Sequence, residues 1–128
     1  MNTDIKVVIV DDDPRLVKAY DMKFKNEAIN AVILHDAETA IEQIRNERPD
    51  VVVLDVLMPV KTGWDILREM KADATMGNIP VLMVSNIGSE DKEAEAIAAG
   101  AAAYLVKSDT PLNDLVERII LLAGKTTE

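Results

Sequence analysis

Four short apolar runs of this 128-residue chain break off on a polar residue able to do chemistry. Val10 is followed by Asp11, Asp12 and Asp13, Leu54 by Asp55, Val84 by Ser85, and Val106 by Lys107. Asp55 is the most costly of these, because it interrupts the apolar stretch 51–58 and a charge there is expensive unless paired. If the runs end at one place, three carboxylates, a hydroxyl and an ammonium share a small volume. The carboxylates then repel unless a cation or a shared proton intervenes. Oxygen-only ligands without His or Cys select a hard cation, and Mg2+ is the natural choice, held by one or two carboxylates, waters and a substrate phosphate. In such a site Asp55 attacks phosphorus while the metal offsets the repulsion between two anions. Lys107 pairs with a second phosphoryl oxygen and Ser85 donates to a third. Positioning and charge neutralisation are most of what phosphoryl transfer requires.

Each residue taken singly has a plainer reading. An aspartate at a strand end is commonly a turn or cap residue. Asp11 to Asp13 before Pro14 would serve as a cap with dipole-stabilised neighbours, and Asp13 reads as just that. Ser85 alone is a strand-end hydrogen bonder, and Lys107 alone a solvated cation. The chemical reading rests on their conjunction, and so on the elements that carry them.

The runs are 5–10, 30–34, 51–54, 80–84 and 102–106. They are short, mostly β-branched and without alternation, as in strands covered on both faces. Amphipathic stretches separate them. Asp13-Pro14 opens a helix with Val17, Tyr20 and Phe24 on one face. Ala37, Ala40, Ile41 and Ile44 keep helical spacing before Pro49, and Trp64, Leu67 and Met70 follow Gly63. Ala94, Ile97 and Ala98 follow Ser89, with Gly100 just past their helix. Thr110-Pro111 repeats the cap signal ahead of the stripe Leu112, Leu115, Val116, Ile119 and Ile120. Five β-α units predict an α/β fold with a mostly parallel sheet and helices on both faces. Right-handed crossovers bring every strand C-terminus to one edge, where such sheets hold their sites. The segment 124–128 is expected to fray.

Composition narrows the class. The length suits one domain, and 48% hydrophobic residues suffice for a core. Only Tyr20, Phe24, Trp64 and Tyr104 are aromatic. A net charge of −9 argues against nucleic-acid backbone as a direct partner. The absence of cysteine excludes disulfides and thiolate chemistry. No apolar run approaches a membrane span and no signal peptide opens the chain, so a cytoplasmic protein is expected.

The segments VIVDDDP, VVVLDVLMP with Gly63 after it, PVLMVS and AGAAAYLVK, in this order, resemble the response regulator receiver domain of two-component signalling, of the chemotaxis type. The resemblance spans about residues 4–124 of a single domain, 1–128. It implies a flavodoxin-like (βα)5 fold with sheet order 2-1-3-4-5. It also implies a signal-transducing phosphoprotein rather than a turnover enzyme, one that catalyses its own aspartyl phosphorylation and dephosphorylation. By resemblance Asp55 is the phosphorylated aspartate. Asp11, Asp12, Asp55 and the backbone carbonyl of Leu57 hold Mg2+, for which Mn2+ substitutes. Ser85 is the switch hydroxyl, Tyr104 the aromatic switch and Lys107 the phosphate-binding lysine. The donor is a sensor histidine kinase or phosphotransfer protein of a phosphorelay. The reader is a downstream protein, or a second copy in a phosphorylation-dependent homodimer, at the face of the fourth helix, fifth strand and fifth helix, which includes Glu90, Asp91, Glu95, Tyr104, Glu117 and Arg118.

Some positions depart from the family pattern. Ser108 stands where the family often has a cis proline, so the loop is either trans or strained. Asn86, where small residues are common, narrows access to the phosphoryl group or donates to it. Leu57 and Ile87 occupy positions that flank the attacking water, and both are apolar, which implies a slowly decaying phosphoaspartate. Three rivals remain. A haloacid-dehalogenase-like phosphatase would use Asp11 as nucleophile, but leaves Asp55 unexplained. A flavodoxin-like electron carrier would need a Ser/Thr/Gly-rich loop where three aspartates stand. A pseudo-receiver would bind partners without phosphorylation.

Overall fold

The computed structural model describes residues 5–27, 29–58 and 61–124. Asp4 at the expected start of the core, Pro59 of the segment VVVLDVLMP and the expected frayed residues 125–128 lie outside the described residues. Five strands, β1 (Lys6–Val10), β2 (Asn30–Leu34), β3 (Val51–Asp55), β4 (Val81–Ser85) and β5 (Ala103–Val106), alternate with five helices. These are α1 (Pro14–Asn26), α2 (Ala37–Glu47), α3 (Gly63–Ala72), α4 (Glu90–Ala98) and α5 (Leu112–Ala123). A short 3-10 turn, Lys107–Asp109, joins β5 to α5.

The sheet is parallel in order β2-β1-β3-β4-β5, as the resemblance implies. Every residue of β3 and β4 is buried. Successive side chains alternate between two apolar layers. Val8, Val10, Val52, Leu54 and Met83 face α2 and α3, while Val7, Ile9, Val51, Val53 and Leu82 face α1 and α5. After β2 the chain crosses to the other side of β1, so the C-terminal ends of β1 and β3 lie side by side at the switch point.

Local chemistry sets most helix starts. Asp13 accepts from the Arg15 amide (2.9 Å) and Asp36 from that of Glu38 (2.9 Å). Thr62 and Asp65 form a reciprocal capping box at α3. Ser89 caps α4, and Gly100 follows it with φ of 108°, a conformation suited to glycine.

Two expectations are corrected. In α4 the stripe Ala94, Ile97 and Ala98 faces out, with Ile97 50% exposed, and Ala96 is the buried position. Alanines surround this helix and give its faces little hydrophobic contrast. Thr110 does not cap α5. Pro111 holds the cap position, and the Thr110 hydroxyl donates to the Val106 carbonyl (2.9 Å), closing the preceding turn instead.

Candidate functional site

The ladder carries the acidic residues to one edge. Val10 pairs with both Leu34 and Leu54, and the Asp11 amide prolongs the contact by donating to Leu34 O (3.0 Å). Asp11 is wholly buried, and its Oδ1 accepts from the Asp13 amide (2.9 Å). Asp12 turns to solvent. Asp55 ends β3, pairs with Val84 and is 5% exposed. Asp11, Asp12 and Asp55 each offer an oxygen within 4.8 Å of the others. Lys107 opens the turn after β5, and its Nζ lies 3.3 Å from Asp11 Oδ2 and 3.3 Å from Asp55 Oδ1. Every described peptide bond is trans, so Lys107 reaches the carboxylates through an unstrained 3-10 turn.

Ser85 and Tyr104 both bond the backbone of Ile87, in the loop after β4. Ser85 ends β4, buried, and its Oγ accepts from the Ile87 amide (3.1 Å). Tyr104 is buried too, and its hydroxyl donates to the Ile87 carbonyl (2.7 Å) while its ring stacks on Trp64 (centroids 6.5 Å apart). No hydrogen bond joins Ser85 to Asp55 or Lys107 among the described residues. Ile87 is thus held on both sides of its backbone, a link that no spacing in the sequence announces. Glu90, Asp91, Glu95, Glu117 and Arg118 are exposed as expected, whereas Tyr104 points inward, away from that surface. Asn86 is exposed at the loop.

The response regulator receiver domain family matches residues 7–120. The chain belongs to this family. It is similar to "Probable transcriptional regulatory protein TcrX" of Mycobacterium tuberculosis, with 30% identity over 95% of this chain and 51% of that protein. Among solved structures it resembles the Francisella response regulator 1452 receiver domain (TM-score 0.87, 27% identity, 97% of this chain and 100% of that one). It also resembles the Vibrio cholerae chemotaxis protein CheY4 (TM-score 0.84, 25% identity, 92% of this chain and 98% of that one). The chain spans about half the length of the curated relatives it matches. None of the described helices is long and apolar enough to cross a membrane.

The electrostatics of this receiver follow from its burial pattern. Burial, then the neighbouring Asp11 charge, pushes the Asp55 carboxyl up to about 6, against the opposing pull of Lys107 and the Leu57 amide. Asp13, by contrast, is held below the usual carboxylate range by the Arg15 amide, as a cap should be. The donor set is three carboxylates crowded within 4.8 Å, with one ammonium against them. That set fits a hard divalent cation.

The sequence marks Gly63 and Tyr20 but not what they touch at the site. A Cβ on Gly63 would stand 2.5 Å from the Asp55 carbonyl oxygen, while the Gly63 amide donates to Val56 O (3.1 Å). Glycine is what lets α3 start against the backbone of Asp55. Tyr20, buried on α1, has its phenol made less acidic by burial and by the charges of Asp11 and Asp55, which places it near the cluster. The apolar spacing that flags Tyr20 as core says nothing of that neighbour.

Proposed function

We propose that the chain 1–128, with a core of about 4–124, is a single cytoplasmic receiver domain whose Asp55 accepts a phosphoryl group. The donor is a phosphohistidine of a sensor kinase or phosphotransfer protein, or a small acyl phosphate. An Asp55 carboxylate oxygen attacks phosphorus. The bond from phosphorus to the donor nitrogen or oxygen breaks, and its electron pair leaves with the donor. Asp11, Asp12, Asp55 and the Leu57 carbonyl would hold Mg2+, or Mn2+ in its place, which supplies positive charge where nucleophile and phosphoryl oxygens repel. Lys107 gives up its contact with Asp55 Oδ1 to pair with a phosphoryl oxygen. Ser85 exchanges the Ile87 amide for another, and the freed loop repositions Ile87 and with it Tyr104. The protein thereby catalyses its own modification, and later its reversal, without turning over a substrate. A downstream protein reads the altered α4-β5-α5 surface.

The observation that carries this reading is the buried Asp55 carboxylate, 3.3 Å from Lys107 and crowded by two further carboxylates. Intact-mass measurement with acetyl phosphate and Mg2+ tests it. Wild type should gain one phosphoryl mass and Asp55→Asn none. No gain in either would return the chain to a phosphorylation-independent binding module, and turnover of phosphate esters lost in Asp11→Asn would favour a phosphatase.

A further inference from the structure

The sheet edge opposite the acidic cluster carries a cavity that the phosphoryl chemistry does not use. It opens between the end of α2 and the chain leading from α3 to β4, with a volume of about 500 Å3. That is within the range of small-molecule sites. Ile44, Pro49, Met76 and Ile79 form an apolar floor, and the exposed Arg45 and Arg48 stand at the rim. Pro49 precedes β3, so the whole length of that strand separates this cavity from Asp55.

Arg48 stands where a chain ordinarily places glycine. It closes the last turn of α2 with φ of 50°, its amide donating to the Ile44 carbonyl (3.1 Å). It is the one non-glycine residue of positive φ among the described residues. Such a turn favours glycine or asparagine, and arginine in it is strained. Its guanidinium makes no ion pair or hydrogen bond among the described residues, so no contact within the fold offsets that strain. Arg45 gives one N–H to Asp73 Oδ2 (2.8 Å) and keeps its others. In a chain of net charge −9, two guanidinium groups thus share the rim of one apolar cavity.

The facing wall is braced before any ligand arrives. Lys71 Nζ donates to the carbonyls of Gly77 (3.0 Å) and Ile79 (3.1 Å), and Asp73 Oδ1 accepts from the amide (2.8 Å) and hydroxyl (2.6 Å) of Thr75. A preformed wall need not be ordered on binding. The Thr75 hydroxyl proton is already held by Asp73, so the guanidinium groups are the donors the rim offers. Only one of their two charges is unpaired, since Arg45 faces Asp73. The negative end of the α2 dipole, with Glu42, Glu47 and Asp50 on α2 and the turn after it, limits how much negative charge the rim accepts. A single carboxylate suits the open fork of Arg48, whereas a segment of several acidic residues, or a second copy at −9, meets like charge.

We propose that this cavity binds a small monocarboxylic acid with a compact apolar body. The carboxylate takes the fork of Arg48 with the remaining N–H groups of Arg45 beside it, and the body lies on Pro49, Met76 and Ile79. The site stands apart from the phospho-acceptor reading, because it shares no residue with the acidic cluster. The probe is phenylpropionate, titrated into the full 15N-labelled chain beside its neutral amide, phenylpropanamide, and beside acetate, which has no apolar body. Phenylpropionate should shift the amides of Arg48, Met76 and Ile79 and leave those of Asp11, Asp55 and Lys107 still. The neutral amide should bind about fivefold more weakly, as the loss of an exposed charge pair predicts, and acetate should give no comparable shifts. Arg48→Asn removes the guanidinium while keeping a residue that tolerates the turn. It should weaken phenylpropionate about fivefold and leave the melting temperature unchanged or raised. Equal binding of acid and amide, shifts elsewhere, or unchanged affinity in Arg48→Asn overturns the site. Melting well below wild type in Arg48→Asn overturns the argument from strain, while acid against amide on the wild-type chain still decides the site. Tighter binding of a leucine–glutamate peptide than of phenylpropionate overturns it in favour of a protein segment. A sedimenting dimer lost in Arg48→Asn overturns it in favour of a second copy.

Discussion

Lys107 Nζ lies 3.3 Å from Asp55 Oδ1, although β4 lies between β3, which ends on Asp55, and β5, after which Lys107 opens the turn. The contact spans the sheet edge and draws the Asp55 carboxyl downward, against burial and Asp11. Removing the ammonium leaves only the raising influences and the weak Leu57 amide. In Lys107→Met without metal, Asp55 should titrate about one unit higher than in wild type, as loss of an opposite charge within hydrogen-bond range implies. Carboxyl 13C shifts followed against pH measure this directly. An unchanged midpoint would show that the ion pair has no electrostatic weight.

Asp55 also makes stability fall with pH. Its folded value of about 6 lies above that of an unfolded aspartate. Between roughly pH 4 and that value the folded state binds more protons, so stability declines as pH rises through the window. At neutral pH the ionised group is a net burden. Asp55→Asn should therefore stabilise the metal-free protein by about 1–2 kcal/mol at pH 7.5, discounted because the group lies at the rim. The gain should shrink toward zero near pH 4. Urea unfolding at both pH values checks the sign, and a destabilised variant at pH 7.5 would contradict it.

Asp11, Asp55, Ser85 and Lys107 were legible in the sequence because each ends an unbroken apolar run, and a parallel sheet sends all such ends to one edge. The cap at Asp13 was legible for a similar reason, since its partner is two residues away. What escaped depends on paths through loops. The double grip of Ser85 and Tyr104 on Ile87 follows from the course of residues 86–89, which no periodicity records. The faces of α4 were misread because alanine carries too little apolar area to mark a stripe, so Ala96 rather than Ala94 is inside. Sheet order came from family resemblance, because five similar buried strands do not encode their neighbours by themselves.

Gly63 offers a mutational contrast with Gly88. A Cβ at Gly63 meets backbone, the Asp55 carbonyl oxygen at 2.5 Å, whereas at Gly88 it meets only the Val106 side chain at 3.2 Å. Backbone cannot yield as a rotamer can. Gly63→Ala should cost about 1–3 kcal/mol and slow Asp55 phosphorylation, whereas Gly88→Ala should change stability by under about 1 kcal/mol. Thermal unfolding of the two variants, with phosphorylation rates beside it, tests the contrast. Equal effects would show that α3 can slide away from Asp55 without strain.

Tyr104→Phe isolates one hydrogen bond. It leaves the Ile87 carbonyl without its phenolic donor while keeping the ring on Trp64. The variant should lose about 1 kcal/mol, a typical net value for one such bond. Amide exchange around Ile87 should quicken, and Asp55 should remain competent for phosphorylation, since Tyr104 touches none of the acidic cluster. Unchanged exchange would mean that the bond does not hold the loop.

Leu57 and Ile87 stand beside the acidic edge, 55% and 50% exposed, with no polar atom on either side chain. Hydrolysis of a phosphoaspartate needs a water aligned on phosphorus, and aliphatic groups neither orient nor deprotonate one. The phosphoryl group on Asp55 should therefore last minutes or longer after donor removal. Supplying a polar side chain should shorten it. Ile87→Glu or Leu57→Gln is expected to speed decay about tenfold, below the roughly 100-fold or more of a fully positioned acid or base, because each side chain would only help orient the water. Both changes are at exposed positions, so folding should be retained. Time-resolved intact mass gives the rate for each protein. A wild-type half-life of seconds would mean that water is positioned by some other group, and the apolar flanks would lose their assigned effect.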